Sequence, residues 1–230
     1  MSDMLMRGGW RCVRGLLVAC ALVSNAIADS NSITISSWEE ELSDVASLER
    51  LNADLLASAS ATLTLEAWCM SHKMASPAII TVERDTTTRH SIDAEQRHRL
   101  GIGPDVPIEY RNVKLKCGNH VLSEAENWYV PSRLSPEMNA ELTETNIPYG
   151  KVIHSLRPFR RTFLMKRDWD VLGQEGECRE TRCVAKSWPC DETAFTHHAL
   201  VISGENIPLA EVRENYKLEL ICETRSGYNE

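Results

Sequence analysis

The sequence predicts an α+β domain, an antiparallel β-sheet with helices packed on one side. Three observations predict it. Residues 110–117, Tyr-Arg-Asn-Val-Lys-Leu-Lys-Cys, alternate strictly, as a half-buried strand does. The turn Gly118-Asn119 leads into a second strand-like run, Val121 to Pro131, so the two form a hairpin and are antiparallel. Strand-like runs outnumber helical ones, and the longest helical run places Trp38, Leu42, Val45, Leu48, Leu51 and Leu55 three or four apart. That spacing puts one apolar stripe on a core.

The elements follow in order. Residues 1–28 carry Arg7, Arg11 and Arg14, an apolar stretch from Gly15 to Val23, and Ala26-Ile27-Ala28. This is the pattern of a cleaved secretory signal peptide, and its apolar stretch is shorter than the roughly 20 residues of a membrane span. Residues 29–230 are read as a single domain. Ser37 and Glu40 form a capping box ahead of the first helix. A second helical piece covers Leu63 to Met70, a strand covers Ala78 to Arg84, and Asp85 to Pro107 is a long polar connection. After the hairpin, Ser135-Pro136 opens a helix, serine as N-cap and proline at the first helical position. It runs to Glu144 and stops before Asn146-Ile147-Pro148-Tyr149-Gly150. Later strands are expected at Lys151–Leu156, Arg161–Lys166, Ala194–Ile202 and Tyr216–Cys222. A polar, cysteine-rich loop, residues about 168–192, separates the middle two.

Composition narrows the partners. The formal charge is −8, and becomes −10 when the leader takes three arginines and Asp3 with it. A chain this acidic repels nucleic acid and anionic membranes, so no nucleic-acid partner is expected, and no membrane partner after signal cleavage. Of eight cysteines, Cys12 and Cys20 leave with the leader. Cys69, Cys117, Cys178, Cys183, Cys190 and Cys222 remain, an even number that reads as disulfides in an exported protein. At least one bridge must join the loop to the core; Cys178–Cys183 and Cys183–Cys190 are the candidates for a local one. The loop spacing lacks the close Cys-x2-Cys pairs of structural zinc sites, so no metal and no cofactor is expected. The localisation implied is periplasmic or secreted.

One residue breaks the strand alternation. Arg111 lies in line with Val113, Leu115 and Cys117 on the face that should be buried. A guanidinium keeps its proton and needs an anion near a core. Either a protein carboxylate supplies it, or the carboxylate of a ligand does.

The order of features around Arg111 resembles the chorismate pyruvate-lyase family. Leu55-Leu56 precedes Ser60-Ala61-Thr62. The strand arginine precedes a glycine turn, Val130-Pro131 closes the next strand, and a short helix leads to Pro148-Tyr149-Gly150. The likeness spans roughly residues 45–165, and more loosely to 220. It implies a chorismate lyase-like fold and cleavage of chorismate, or a related enolpyruvyl acid, to an aromatic acid and pyruvate without metal or cofactor. It also implies that Arg111 clamps a substrate carboxylate, that Tyr149 and Gly150 complete the clamp, and that a late-strand glutamate is the acid. Counting back from Pro208-Leu209 places that acid position near His198, with His197 as the alternative, so His198 is the candidate proton donor in its stead. Adjacent histidines point to opposite faces, so at most one of the two lines a pocket. Arg161 is a candidate second anion contact.

Three functions compete. The first is an exported lyase. The alternative is a non-catalytic module on the same fold that binds a small aromatic or carboxylic acid. A disulfide-bridged structural protein is the third.

Overall fold

The computed structural model describes residues 42–168 and 189–226. The chain divides into two units, residues 1–44 and 45–230, and the second carries the fold. The expected signal peptide and Ser37–Glu40 capping box, and Cys178 and Cys183, lie outside the described residues.

Among the described residues six strands form one sheet: β1 (Ile80–Asp85), β2 (Glu109–Cys117), β3 (His120–Tyr129), β4 (Phe159–Arg167), β5 (Thr193–Ile202) and β6 (Pro208–Lys217). Their order is β1-β2-β3-β6-β5-β4, and every neighbouring pair is antiparallel. The fold class is therefore the α+β arrangement expected. Among the described residues the helices are α1 (42–57), α2 (Ala61–Ser71), α3 (Ala94–Leu100), α4 (Pro136–Glu144), α5 (Tyr149–Val152) and α6 (Glu219–Ser226). Among the described residues no helix is long and apolar enough to cross a membrane.

The register defines the working face of the sheet. Arg111 stands opposite Asn127, Val113 opposite Ala125, and Ala125 opposite Glu214. Glu214 in turn faces His197, and Val201 faces Arg160. All of these share one face. Leu48, Leu51 and Leu55 of α1 and Leu65 and Trp68 of α2 pack with Val113, Leu115 and Phe195 on one half of it. Leu142 of α4 and Tyr149 and Val152 of α5 pack with Ala199, Val201 and Val212 on the other half. The helical layer thus lies on one side. Short α3 covers part of the second face, where Leu100 meets Leu200 and Ile202.

Among the described residues two bridges join elements. Cys69–Cys117 ties α2 to the end of β2, and Cys190–Cys222 ties the stretch before β5 to α6. The last loop cysteine is thus joined to the core, as full pairing required. The local alternative, Cys183–Cys190, is corrected, because Cys190 is spent on Cys222.

Three element readings are corrected. Lys151–Leu156 lies in α5 and a following 3-10 turn, His154–Leu156; the Pro148 start, not the alternation of Val152 and His154, decides the local structure. Tyr216–Cys222 spans the end of β6 and the start of α6, and the strand itself begins eight residues earlier, at Pro208. Within the supposed loop 85–107, α3 forms behind a capping box. The Asp93 carboxylate accepts from the Gln96 N–H, Gln96 reaches back to the Asp93 N–H, and Gly101 ends the helix at φ 62°.

Candidate functional site

A cavity of about 60 Å³ opens on the working face, between the N-terminus of α2, the first turn of α5 and the sheet. That is room for a few waters or one small ligand. The wall begins at Ser60, whose side chain caps α2 by accepting from the Leu63 N–H at 3.4 Å. Gly150 of α5 approaches closely. A Cβ placed there would sit 3.3 Å from Ser60 Oγ and 3.6 Å from Thr62 Oγ1. The two helices are clamped by Lys151, whose Nζ donates to Glu66 Oε1 at 2.5 Å, while the same oxygen accepts the Ile80 N–H at 2.9 Å.

The floor carries a buried ion pair. Arg160 of β4 donates through Nη2 to Glu214 of β6 and through Nη1 to the Leu55 carbonyl at 3.2 Å. Glu214 also accepts from the Tyr216 hydroxyl at 3.1 Å. Both charged side chains are nearly enclosed, at 4% and 9% exposure. Burial works against the Arg160 charge, but Glu214 and Tyr216 outweigh it and raise its pKa. Next to the pair, His197 is fully buried and donates from Nε2 to Asn52 Oδ1 at 2.8 Å. Burial first, and then the Arg160 charge, lower its pKa to about 4.

Arg111 is where parity predicted, facing inward at 4% exposure. Its neighbours Val113, Asn127 and Tyr149 line the cavity; Arg111 itself does not. It donates to the Ile147 carbonyl at 3.3 Å, and among the described residues no carboxylate pairs with it. Burial and the nearby Arg84 guanidinium pull its pKa down to about 10, a group still charged at neutral pH. The protein-carboxylate reading of this position therefore has no support. The Tyr149 ring packs tilted against Tyr129, with centroids 5.7 Å apart, and burial pushes its pKa up, so its hydroxyl keeps its proton.

Among the described residues, four buried side-chain atoms at or beside the cavity lack a partner: Arg111 Nε, Tyr149 Oη, Arg160 Nε and His197 Nδ1. The first three are N–H or O–H groups able to donate. Burying such groups unpaired is costly, and an acceptor-rich guest removes that cost.

Two expected site residues lie elsewhere. His198 pairs in register with Arg213 on the second face, where its Nε2 accepts from Arg213 Nε at 3.1 Å. It does not share a pocket with Arg111. Burial, then Arg213, lower its pKa. Arg161 is exposed and registers with Leu200. It does share a face with Phe163, but that is the second face, where Phe163 lies 4.7 Å from the Arg99 guanidinium. The inward arginine on β4 is its neighbour, Arg160.

Sequence reasoning missed Glu214 because it missed β6. The alternation Val212-Glu214-Tyr216, with Glu214 in line with two apolar residues, was the available signal. It is the same anomaly that singled out Arg111.

No family model matches the chain. Among solved structures, PhnF from Mycobacterium smegmatis is 13% identical over 70% of this chain and 65% of its own, with a TM-score of 0.44. The effector domain of PhnF aligns over 69% and 88% at 13% identity and a TM-score of 0.43. YydK from Bacillus subtilis aligns over 61% of this chain and 58% of its own, at 15% identity and a TM-score of 0.39. A sequence relative, the uncharacterized protein y4mC of Sinorhizobium fredii, is 38% identical over 175 residues, 75% of this chain and 74% of the relative. With that identity over three quarters of both chains, the protein belongs to the y4mC family.

Proposed function

We propose that the protein is a binding module for a small carboxylic or aromatic acid, held in the cavity beside α2 and α5. The observation that carries this reading is the set of unpaired buried donors, Arg111 Nε, Tyr149 Oη and Arg160 Nε. A carboxylate has about four lone-pair sites and satisfies several donors at once. Arg111 adds a charge that no described carboxylate neutralises, and a buried guanidinium recognises a planar carboxylate well. The first-turn N–H groups of α2 favour the same sign of guest. No metal or cofactor is required for this role.

Export belongs to the same proposal. The leader pattern of residues 1–28 and two disulfides, Cys69–Cys117 and Cys190–Cys222, suit a periplasmic or secreted protein.

The second reading is cleavage of chorismate or a related enolpyruvyl acid. One observation favours it: Glu214 lines the cavity from a late strand, which is the residue type and place the lyase resemblance asks for. His198 is not needed for that role. Against it, Glu214 already serves as acceptor to both Arg160 and Tyr216, so a proton for the substrate would have to displace a contact.

The test is to titrate the protein with a panel of small aromatic and aliphatic carboxylates, and to incubate it with chorismate while following 4-hydroxybenzoate and pyruvate. Saturable one-to-one binding of an acid without turnover is expected. Release of both products would establish the second reading, and failure of every acid to bind would reject the first.

A further inference from the structure

Beside the unpaired donors, the floor of the cavity carries two polar side chains with hydrogen-bonding capacity to spare. Asn127 of β3 stands opposite Arg111 of β2 in register. It is buried and lines the cavity, and among the described residues its side-chain amide makes no hydrogen bond with the protein. Glu214 of β6 is its diagonal neighbour, because Asn127 registers with Val212 and Ala125 with Glu214. Both Arg160 and Tyr216 donate to one oxygen of that carboxylate, Oε2. The other, Oε1, has no hydrogen-bond partner among the described residues, and the side chain lines the cavity. Arg111, Asn127 and Glu214 thus follow one another over three neighbouring strands.

We propose that the guest of this cavity is a short hydroxy acid, with its carboxylate at Arg111 and Tyr149 and its hydroxyl between Asn127 and Glu214. This rests on the acid-binding reading of the cavity and narrows its ligand class. A hydroxyl both donates and accepts. Its proton goes to Glu214 Oε1, and its oxygen takes an N–H of the Asn127 amide. An ammonium group has no lone pair for Asn127, and a keto oxygen has no proton for Glu214. An unsubstituted acid leaves both buried groups unpaired, which is costly.

Charge and size point the same way. Arg111, Arg160 and Glu214 together carry one net positive charge. A hydroxy acid neutralises it, whereas a zwitterionic amino acid leaves it standing in a site screened little by water. The volume, about 60 Å³, limits the guest to a few carbons. Val113, Ala125 and Val212 line the same cavity and receive the carbon chain.

The test is isothermal titration of the full chain with matched pairs of acids, lactate against propionate and 3-hydroxybutyrate against butyrate, and with alanine. In at least one pair the hydroxy acid should bind at least tenfold more tightly than its partner, because a site that pairs with a hydroxyl rejects the analogue lacking it. Alanine should bind at least tenfold more weakly than lactate. In Asn127→Leu the ratio within the preferred pair should fall to less than threefold. The acid comparison uses the parent chain, so it decides the matter even where the variant does not fold. Equal affinities within both pairs would overturn the hydroxyl assignment and leave the acid-binding reading standing, whereas failure of all four acids to bind would overturn both. Alanine binding as tightly as lactate, or a ratio that persists in folded Asn127→Leu, would also overturn the assignment.

Discussion

Arg160 on β4 and Glu214 on β6 meet across β5 in the cavity floor, each nearly enclosed. The pair fixes the two late strands to each other and to the end of α1, whose Leu55 carbonyl takes a further Arg160 N–H. A buried ion pair costs desolvation to form, and more when only half of it is removed. Arg160→Met, leaving Glu214 buried and unpaired, should lower the unfolding free energy by about 3–5 kcal/mol. The double change Arg160→Met with Glu214→Leu should recover much of that loss. Urea unfolding of the three proteins measures both effects; a double variant as unstable as the single one would contradict this account.

His197 makes stability depend on pH in a defined window. Its folded pKa is lowered from 6.5 to about 4 by burial and then by Arg160. Below pH 6.5 the unfolded chain takes up the proton first, so stability falls as pH drops from 6.5 to 4 and then levels off. The loss amounts to about 3 kcal/mol. His197→Gln, which keeps a donor for Asn52, should flatten that part of the profile relative to the parent. Unfolding midpoints at half-unit pH steps would show it, and parallel profiles would contradict it.

The Cys69–Cys117 bridge closes 48 residues of chain. Replacing both cysteines by alanine should cost about 4 kcal/mol through the freed unfolded chain. A calorimetric melt of the double variant, at unchanged pH and salt, is the check.

Arg111 and His198 give opposite expectations for binding. Arg111→Lys loses a planar, charge-assisted contact of roughly 1.5–3 kcal/mol, so acid affinity should fall at least tenfold. His198→Ala lies on the second face and should leave affinity unchanged. Isothermal titration of both variants with a carboxylate that the parent binds separates the two. If His198→Ala weakens binding and Arg111→Lys does not, the working face is misassigned.

What the sequence revealed depended on how locally each element is determined. The β2–β3 hairpin was legible because alternation and a glycine turn specify it without help from the rest of the chain, and parity alone placed Arg111 inside. Helix α4 was legible from Ser135-Pro136. Strand β6 was not. Its buried positions include Glu211 and Glu214, tolerated only because Arg99 and Arg160 reach them from α3 and β4. Pairing of that kind is invisible until the strands are ordered, and the misplaced strand carried the candidate acid with it to His198. Along the sequence Arg161 is in line with Phe163 and Met165, and Arg160 is not. Arg161 and Phe163 lie on the second side of the sheet, and a bulge between Thr162 and Leu164 turns Met165 to the working face, opposite His197, a shift that composition along one strand does not reveal.

The central claim, that the cavity beside α2 holds a small acid, is tested most directly by closing it. Gly150→Ala adds a methyl group 3.3 Å from Ser60 Oγ, at the narrow contact between α5 and α2, where backbone φ does not require glycine. Titration of the parent and this variant with the same small carboxylate should show affinity reduced at least tenfold in Gly150→Ala, with its melting midpoint nearly unchanged. Equal affinity in the two proteins would contradict the account and move the binding site elsewhere.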